Sequence, residues 1–239
     1  GFPNPLPTPR PVLNNFGTIQ AISSSTTPLA FNITNSGTVL IQSNQLNCYG
    51  YEQVAGMTTV ASNATLNPAG FFLQGGIMNG LGTIQGSSAN GFLVSGGVMS
   101  PGNPIGILNL PNGSYTQTVS GTLNITIGGT NAGSQFSRLA LSGGVLGGTL
   151  DVLFTNGFQP SLGDVYYIVS TPFFGSITGT FSQLNGLQAS NGIVLVPQYQ
   201  AFGVSLVAAT NPVLSSLARN GSQFSFSYPT TTNLTNVLE

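Results

Sequence analysis

The chain has almost no charged residues. Only 3% of its 239 residues are Asp, Glu, Lys or Arg, against about 25% in an ordinary soluble domain. It contains no His and no Trp, and its three basic residues are all Arg. With a formal net charge of −1, it has no electrostatic field that could attract nucleic acid, anionic lipid or a charged substrate. We therefore expect no nucleic acid among its partners.

Side chains suited to catalysis or metal binding are equally scarce. Acid–base catalysis uses His or paired carboxylates, and the only carboxylates near each other in sequence are Asp151 and Asp164. The pattern around Asp151 predicts an outward-facing strand residue, and Asp164 follows Gly163 at a predicted turn. Zinc-ligand spacing and a calcium-binding Asp in each turn are both missing. The sequence predicts no enzyme activity, no catalytic residue, no metal and no cofactor.

Cysteine and long apolar runs are also rare. Cys48 is the only cysteine, so no disulfide can form within the chain, and we expect it to be a buried thiol. No apolar run approaches the roughly 18 residues that a membrane span needs, so no membrane span is expected. The chain begins at Gly1 rather than Met, as expected of a processed or excised segment from which any signal peptide has been removed.

The sequence consists instead of short apolar runs that alternate with turn residues. Runs of three to six residues rich in Ile, Val, Leu and Thr, bounded by Gly, Asn or Ser, predict strands and turns. No segment of ten or more residues has a clear 3.6-residue period, so long helices are not expected. Representative runs are "GTIQAI" (17–22), "GTVLIQ" (37–42), "GMTTVA" (56–61) and "GTLNITI" (121–127).

These runs recur with a period close to 20 residues. Gly17, Gly37 and Gly56 begin three successive runs, and the "YEQVAG" of residues 51–56 returns as "YTQTVSG" at 115–121. A loose period of this length is typical of a parallel β-solenoid with two or three short strands per coil. We therefore predict an all-β fold in which a parallel β-solenoid (β-helix) of about six coils is followed by a small, antiparallel β cap.

Alternation within the strands predicts which side chains face the interior. One side chain in two points into the narrow core of such a fold, and Gly or Asn forms its tight corners. In "SGGVMSPGNPIGIL" (95–108), the expected core residues are Val98, Ile105 and Leu108.

Changes in composition divide the chain into four segments. "GFPNPLPTPRP" has five Pro in eleven residues, which predicts an extended Pro-rich arm over 1–13. The solenoid is predicted over 14–145. From about residue 146 the repeat is less regular and aromatic residues are more frequent, which predicts the β cap or terminal β domain over 146–209. The rest, 210–239, is predicted to be a C-terminal strand and a Thr/Asn-rich tail.

Over residues 14–209 the chain resembles the β-helical passenger segments of bacterial autotransporters and related surface repeat proteins. The similarity lies in the order of "LQGGIMNGLGTIQG" (73–86), "GGVMSPGNPIGIL" (96–108), "YTQTVSGTLNITIGG" (115–129) and "GGTLDVLFTNGFQPSLGDVYYIV" (147–169). The resemblance implies a right-handed solenoid, an extracellular or cell-surface location, and a structural or adhesive role. It implies no shared catalytic residues.

Two functions are compatible with these features. The first is a structural subunit of an extracellular fibre, filament or coat that binds copies of itself head-to-tail through β-strand contacts. The second is a monomeric surface-displayed adhesin or polysaccharide-binding passenger, whose strand edges would have to be capped. Because the chain has no Lys and little charge to protect an open edge, the sequence favours the first. Ice binding is not favoured, since the Thr residues are scattered.

Two segments are candidates for mediating such assembly. A strand near the C-terminus carries aromatic residues on one face, and a lone strand is not stable by itself. It could fold back onto its own 146–209 domain, or it could be donated to a sheet of a neighbouring subunit. The Pro-rich arm is long enough to contact an adjacent subunit. The candidate strand residues are Phe224, Phe226 and Tyr228, and the candidate arm residues are Pro3, Pro5, Pro7, Pro9 and Pro11.

Asn-x-Ser/Thr sequons are also present. Their number is close to what chance gives in a chain this rich in Asn, Ser and Thr, so they are weak candidates for glycosylation. They lie at Asn32, Asn63, Asn112, Asn124, Asn220 and Asn233.

Overall fold

The structure is a computed structural model that describes residues 10–22, 25, 27–86, 91–172, 175–211, 215–220 and 223–227. All regular secondary structure in these residues is β-strand. The predicted all-β class is therefore confirmed, and the strands form three large, mostly parallel sheets and one small hairpin.

The chain passes repeatedly through three sheets, A, B and C, and we call each pass a coil. In chain order, the strands of the first four coils are β1 (Val12–Asn15), β2 (Thr18–Ala21), β3 (Thr27–Pro28), β4 (Asn32–Asn35), β5 (Thr38–Ile41), β6 (Gln45–Cys48), β7 (Gly50–Gln53), β8 (Met57–Val60), β9 (Thr65–Pro68), β10 (Phe71–Leu73), β11 (Ile77–Gly80) and β12 (Thr83–Ile84). The next coils contain β13 (Phe92–Val94), β14 (Val98–Pro101), β15 (Ile107–Leu110), β16 (Tyr115–Gln117), β17 (Thr122–Ile127), β18 (Arg138–Leu141), β19 (Gly144–Leu146), β20 (Thr149–Phe154), β21 (Val165–Ser170), β22 (Ile177–Gly179) and β23 (Gln183–Asn185). The last strands are β24 (Ile193–Gln200), β25 (Gly203–Thr210), β26 (Ser215–Asn220) and β27 (Gln223–Ser227).

Each sheet is built from every third strand of the chain. Sheet A runs from β1 to β22 and sheet B from β2 to β23, with eight parallel strands each, while sheet C runs in parallel from β3 to β21. Sheet C then continues from β21 to β25 and on to β24 by antiparallel pairing. Strands β26 and β27 pair only with each other among the described strands. The result is a solenoid-like stack of short coils.

The parallel stack extends further at both ends than the predicted range of 14–145. Strand β1 begins at Val12, within the predicted arm, and pairs with β4. At the other end, β22 and β23 still pair in parallel with β19 and β20. The antiparallel pairing that we expected over 146–209 is limited to β21, β25 and β24, because the chain keeps turning through sheets A and B until Asn185.

Side chains in register on successive strands of a sheet form rows, which we call lanes. The central inward lane of sheet A is aromatic over four coils, and each of its side chains is almost fully buried. Tyr51 and Phe71 stack with ring centroids 5.9 Å apart and an interplanar angle of 4°, and Phe92 follows at 5.9 Å from Phe71. Stacking of this kind stabilises contacts between coils beyond the burial of apolar area.

A second inward lane of sheet A lies at the corner with sheet B, and we call it the corner lane. In the first three coils it is polar: Asn15 Nδ2 donates to Asn35 Oδ1 at 2.7 Å, and Asn35 Nδ2 donates to Gln53 Oε1 at 3.1 Å. In the next two coils its residues are Leu73 and Val94. All these side chains are buried, so the amides must satisfy one another or the main chain.

Beyond the corner lane, the coils approach so closely that only glycine fits. Gly56 has a φ of +67°, and a Cβ there would lie 1.9 Å from the carbonyl oxygen of Gly37. A Cβ at Gly37 would in turn lie 2.2 Å from the carbonyl oxygen of Gly17. The 20-residue glycine period in the sequence therefore reflects the spacing of neighbouring backbones as well as turn conformation.

Of the three core residues predicted in the segment 95–108, one is buried as expected. Leu108 is fully buried, but Val98 and Ile105 are only half-buried. Met99 occupies the interior where Val98 was expected, because a shift of one residue exchanges the two faces of a strand.

Candidate binding surface

The outer face of sheet A carries a depression across the first four coils. Two neighbouring outward lanes form it: Val12, Asn32 and Gly50 in one, and Thr34, Glu52 and Phe72 in the other. Because Gly50 has no side chain, it forms the floor between the two lanes. The depression has a volume of about 300 Å³, which is at the lower end of the range for small-molecule sites.

Polar and aromatic groups meet in this depression. Gln74 Nε2 donates to Glu52 Oε1 at 2.6 Å, which fixes one carboxylate oxygen. Among the described residues, the side chains of Asn32 and Thr34 have no hydrogen-bond partner. Phe72 is 40% exposed beside them. The depression therefore combines an acceptor, an amide and a hydroxyl with an exposed ring.

The neighbouring corner between sheets C and A carries a positive charge. The Arg10 guanidinium lies over the ring of Tyr49, 3.7 Å from its centroid, in a cation–π contact. Tyr49 directly precedes Gly50. Arg10 and Glu52 are the only charged residues in the first 137 positions of the sequence, and the fold brings both to this part of the surface.

The sequence contains these two charges 42 positions apart and does not indicate that they lie close together. The missing information is the register: Glu52 and Phe72 become neighbours because β7 and β10 pair in parallel. The 20-residue interval between Gly56 and Gly76 is the sequence signal that could have aligned them. The contact between Arg10 and Tyr49 has no comparable signal.

The two carboxylates singled out in the sequence have separate local roles. Asp151 lies on β20 in sheet B and accepts a hydrogen bond from Asn185 Nδ2 at 2.7 Å. Asp164 lies in the turn before β21, where its Oδ2 accepts from Ser161 N at 2.8 Å and from the Tyr166 hydroxyl at 3.0 Å. Burial, together with this hydrogen bond to Asp164, raises the pKa of Tyr166. Neither carboxylate is engaged with the other.

The candidate assembly residues lie only partly within the described structure. Phe224 and Phe226 belong to β27, which pairs with β26 rather than standing alone, and Tyr228 lies outside the described residues. Pro3, Pro5, Pro7 and Pro9 also lie outside them. Pro11 precedes β1, and its carbonyl oxygen accepts from Asn32 N at 3.0 Å. Its main chain is thus part of the first coil.

The sequons occupy different environments. Asn63 and Asn112 are exposed in turns, whereas Asn32 and Asn124 are half-buried on strands. Asn220 ends β26, and Asn233 lies outside the described residues.

Cys48 is buried at the end of β6, as the sequence predicts. Burial raises the pKa of its thiol to about 12, so the reactive thiolate is rare at neutral pH.

The described residues contain no group of three or more His, Cys, Asp or Glu that could hold a metal ion. Within the same part of the chain, there is also no helix of the length and apolar character needed to cross a membrane. No family model and no curated protein matches the chain.

Proposed function

We propose that this chain is a surface-displayed module that works as a single copy, as an adhesin or polysaccharide-binding passenger at the cell surface. In this proposal the stack is a right-handed parallel β-solenoid, and strands β24 and β25 form the cap at its C-terminal end. The observation that carries the proposal is the protected outer edge of β24.

Alternate residues of an edge strand point their N–H groups toward the same side. On β24 the N–H groups that point away from β25 belong to positions 193, 195, 197 and 199. The N–H of Ile193 donates to Asn191 Oδ1 at 3.2 Å, and that of Leu195 donates to Leu187 O at 2.9 Å. Position 197 is a proline and has no N–H. Three of the four donors are therefore paired or absent, which prevents a further strand from adding there.

The tip of the β24–β25 hairpin is also tied to the stack. The carbonyl oxygen of Ala201 accepts from Ile177 N at 2.8 Å, and that of Phe202 accepts from Thr171 N at 3.0 Å. These bonds hold the hairpin against β22 and against the end of β21. In sheet C, β24 occupies the place that the third strand of another coil would need. Coaxial head-to-tail stacking through all three sheets is therefore obstructed, which favours display over polymerisation.

The experiment is sedimentation velocity over a range of protein concentrations. We expect one species of 24.5 kDa at every concentration. The variant Pro197→Val restores an outward N–H on β24 and should associate. Its control is Pro111→Val, at a proline outside the strands. A parent chain that forms a concentration-dependent ladder of oligomers would refute single-copy display.

The hairpin β26–β27 favours a second candidate, the structural subunit of an extracellular fibre or coat. A two-stranded hairpin is marginally stable alone, and these strands pair with no other described strand. The hairpin could therefore add to a sheet of a neighbouring copy. If deletion of residues 222–239 converts an assembled parent to monomers while deletion of 1–11 does not, this candidate replaces the first.

A further inference from the structure

We infer that the depression on the outer face of sheet A is a binding site for a neutral, hydroxyl-rich sugar unit of a polysaccharide. This inference deepens the proposed function, because it locates the ligand contact of the displayed module and names its chemistry. It follows from four features of the site: its hydrogen-bonding groups, its exposed ring, its charge, and its position on a sheet face.

The hydrogen-bonding groups match vicinal sugar hydroxyls. A hydroxyl both donates and accepts, and the depression offers both functions side by side. The Glu52 carboxylate accepts, and the Gln74 amide that donates to it fixes its orientation. Asn32 lies in the neighbouring lane, and its amide both donates and accepts. Because the outward lanes are set by sheet register, these groups are held in place before a ligand arrives.

The exposed ring provides the apolar contact that a sugar needs. One face of a pyranose ring presents C–H groups, which pack on the electron-rich face of an aromatic ring. Phe72 is 40% exposed at the wall of the depression, whereas its strand neighbour Phe71 is fully buried. Phe72 can therefore pack on the C–H face of a sugar while Glu52 and Asn32 bind the hydroxyls at its edge.

Charge and position exclude the other small-ligand classes. The carboxylate of Glu52 repels phosphate and acidic sugars, and Arg10, close by at Tyr49, opposes the binding of a cation. The chain has no long-range field that would concentrate either kind of ion. A peptide that adds as a strand needs a free sheet edge, and this site lies on the face of sheet A, where β4, β7 and β10 are paired on both sides.

The site can be blocked without damage to the fold. A Cβ at Gly50 would approach only the flexible Asn32 side chain, with Oδ1 at 3.1 Å, and no backbone atom lies near it. Gly50→Val therefore fills the floor of the depression with a residue that favours strands. Thr116→Val places the same residue type at an outward position of β16, on the same face of sheet A but outside the depression, and is the control for introducing Val on this face.

The experiment is a titration of the purified chain with neutral disaccharides (maltose, cellobiose and lactose) and with the acidic digalacturonate, followed by ligand-observed NMR. We expect one or more neutral disaccharides to bind with a dissociation constant on the order of 1 mM, since the site is shallow and open. Gly50→Val should weaken binding at least about tenfold, and Glu52→Gln by about tenfold. Thr116→Val should bind like the parent, and the melting temperatures of all variants should match.

Three outcomes overturn the inference: no neutral sugar binds, digalacturonate binds better than every neutral sugar, or Gly50→Val binds like the parent. Because the measurement uses isolated protein, its result is independent of assembly. A monomeric chain that binds no sugar would refute this site and leave single-copy display standing. A chain that assembles and binds a neutral sugar, with the binding weakened by Gly50→Val, would refute single-copy display and leave this site standing.

Discussion

The first three coils and the later coils fill the same interior position in different ways. In the first three, the corner lane is a chain of buried amides, Asn15, Asn35 and Gln53, joined by side-chain hydrogen bonds. From the fourth coil the lane is mainly aliphatic, beginning with Leu73 and Val94. Both fillings support the same parallel stack. The amides add directional bonds that fix the register of neighbouring coils, whereas the aliphatic side chains contribute burial without direction.

Gln117 is the exception within the aliphatic part of the corner lane. Its Nε2 donates to the carbonyl oxygens of Gly121, Gly147 and Thr149 at 2.8–3.1 Å, and its Oε1 accepts from the Tyr115 hydroxyl at 2.9 Å. It bonds mainly to the main chain rather than to another amide. A buried amide is therefore tolerated in this lane wherever it finds a complete set of partners.

The largest effect should come from placing an amide in the aliphatic part of the lane. Leu73→Asn removes a fully buried apolar side chain and leaves a polar group without prepared partners, because Gln53 already donates to Ile77 O. We expect a loss of about 3–5 kcal/mol in the free energy of unfolding, measured by urea denaturation. The control is Leu73→Val, which keeps the lane apolar. If Leu73→Asn lowers the free energy of unfolding no more than Leu73→Val does, amide and aliphatic side chains are interchangeable in the corner lane. That result would contradict the difference drawn between the two parts of the stack.

The reverse exchange, in which an aliphatic side chain replaces a buried amide, should have a smaller but measurable effect on stability. Asn35→Leu removes the two hydrogen bonds that link the amides, those of Asn35 with Asn15 Nδ2 and with Gln53 Oε1. Asn15 Nδ2 still donates to Thr38 O, and Gln53 Oε1 still accepts from the Thr58 hydroxyl. We expect a loss of about 1–2 kcal/mol in unfolding free energy, since two buried hydrogen bonds are lost at about 1 kcal/mol each while both groups keep another partner. Hydrogen exchange should accelerate first in β1, β4 and β7. An unchanged or increased stability would show that the amide chain has no stabilising role.

Strand positions were predictable from the sequence because each coil repeats a simple pattern. Apolar alternation and flanking Gly or Asn predicted short strands, and the recurrence of Gly17, Gly37 and Gly56 predicted coils of about 20 residues. The same interval separates Asn15 from Asn35. The buried amides were not predicted, because an Asn two residues before a Gly, as at Asn15 and Asn35, is equally typical of an exposed turn.

The later coils were harder to predict because their corners are longer. Asp151 and Asn185 are adjacent on neighbouring coils but 34 residues apart. The extra residues lie in loops between strands, such as 128–137, and leave the strand register intact. The sequence period is therefore lost while the parallel stack continues, which explains why the predicted solenoid ended at residue 145. The candidate sugar site was missed for a related reason, since it exists only once the register is known.

A smaller effect should follow from removing one hydroxyl from each part of the stack. The Tyr51 hydroxyl contacts Thr58 Oγ1 and lies 3.4 Å from Gln53 Oε1, whereas that of Tyr115 has Gln117 as its partner. We expect Tyr51→Phe and Tyr115→Phe each to lower the free energy of unfolding by about 1 kcal/mol, measured by urea denaturation. A double-mutant cycle with Thr58→Val should reveal coupling for Tyr51 and none for Tyr115. Equal coupling in the two cycles would contradict the place of Thr58 in the network of Tyr51 and Gln53.

The smallest effect should be that of pH between 5 and 8, because the chain has no His. Stability should fall at higher pH. Burial raises the pKa of the Cys48 thiol to about 12, and burial also raises the pKa values of Tyr51 and Tyr115. The folded state thus favours the neutral forms. Their contribution is complete below the unfolded-state values and is lost as the pH rises toward the folded-state values.

Thermal unfolding monitored from pH 5 to 11 checks this expectation. The melting temperature should be nearly constant up to pH 8 and should decrease above about pH 9. Cys48→Ala should reduce the first part of that decrease. A steady rise in stability through the alkaline range would mean that these groups are ionised in the folded chain.

The most direct test of the stacked register is a pair of distances between spin labels, measured by pulsed electron resonance. Thr34, Thr116 and Thr178 share one outward lane of sheet A, with 116 four strands and 178 six strands beyond 34. At about 4.8 Å per strand, labels in a Cys48→Ala background should be about 19 Å apart for 34 and 116, and about 29 Å apart for 34 and 178. A 34–178 distance equal to or shorter than the 34–116 distance would contradict the stack, and with it the corner lane and the sugar site.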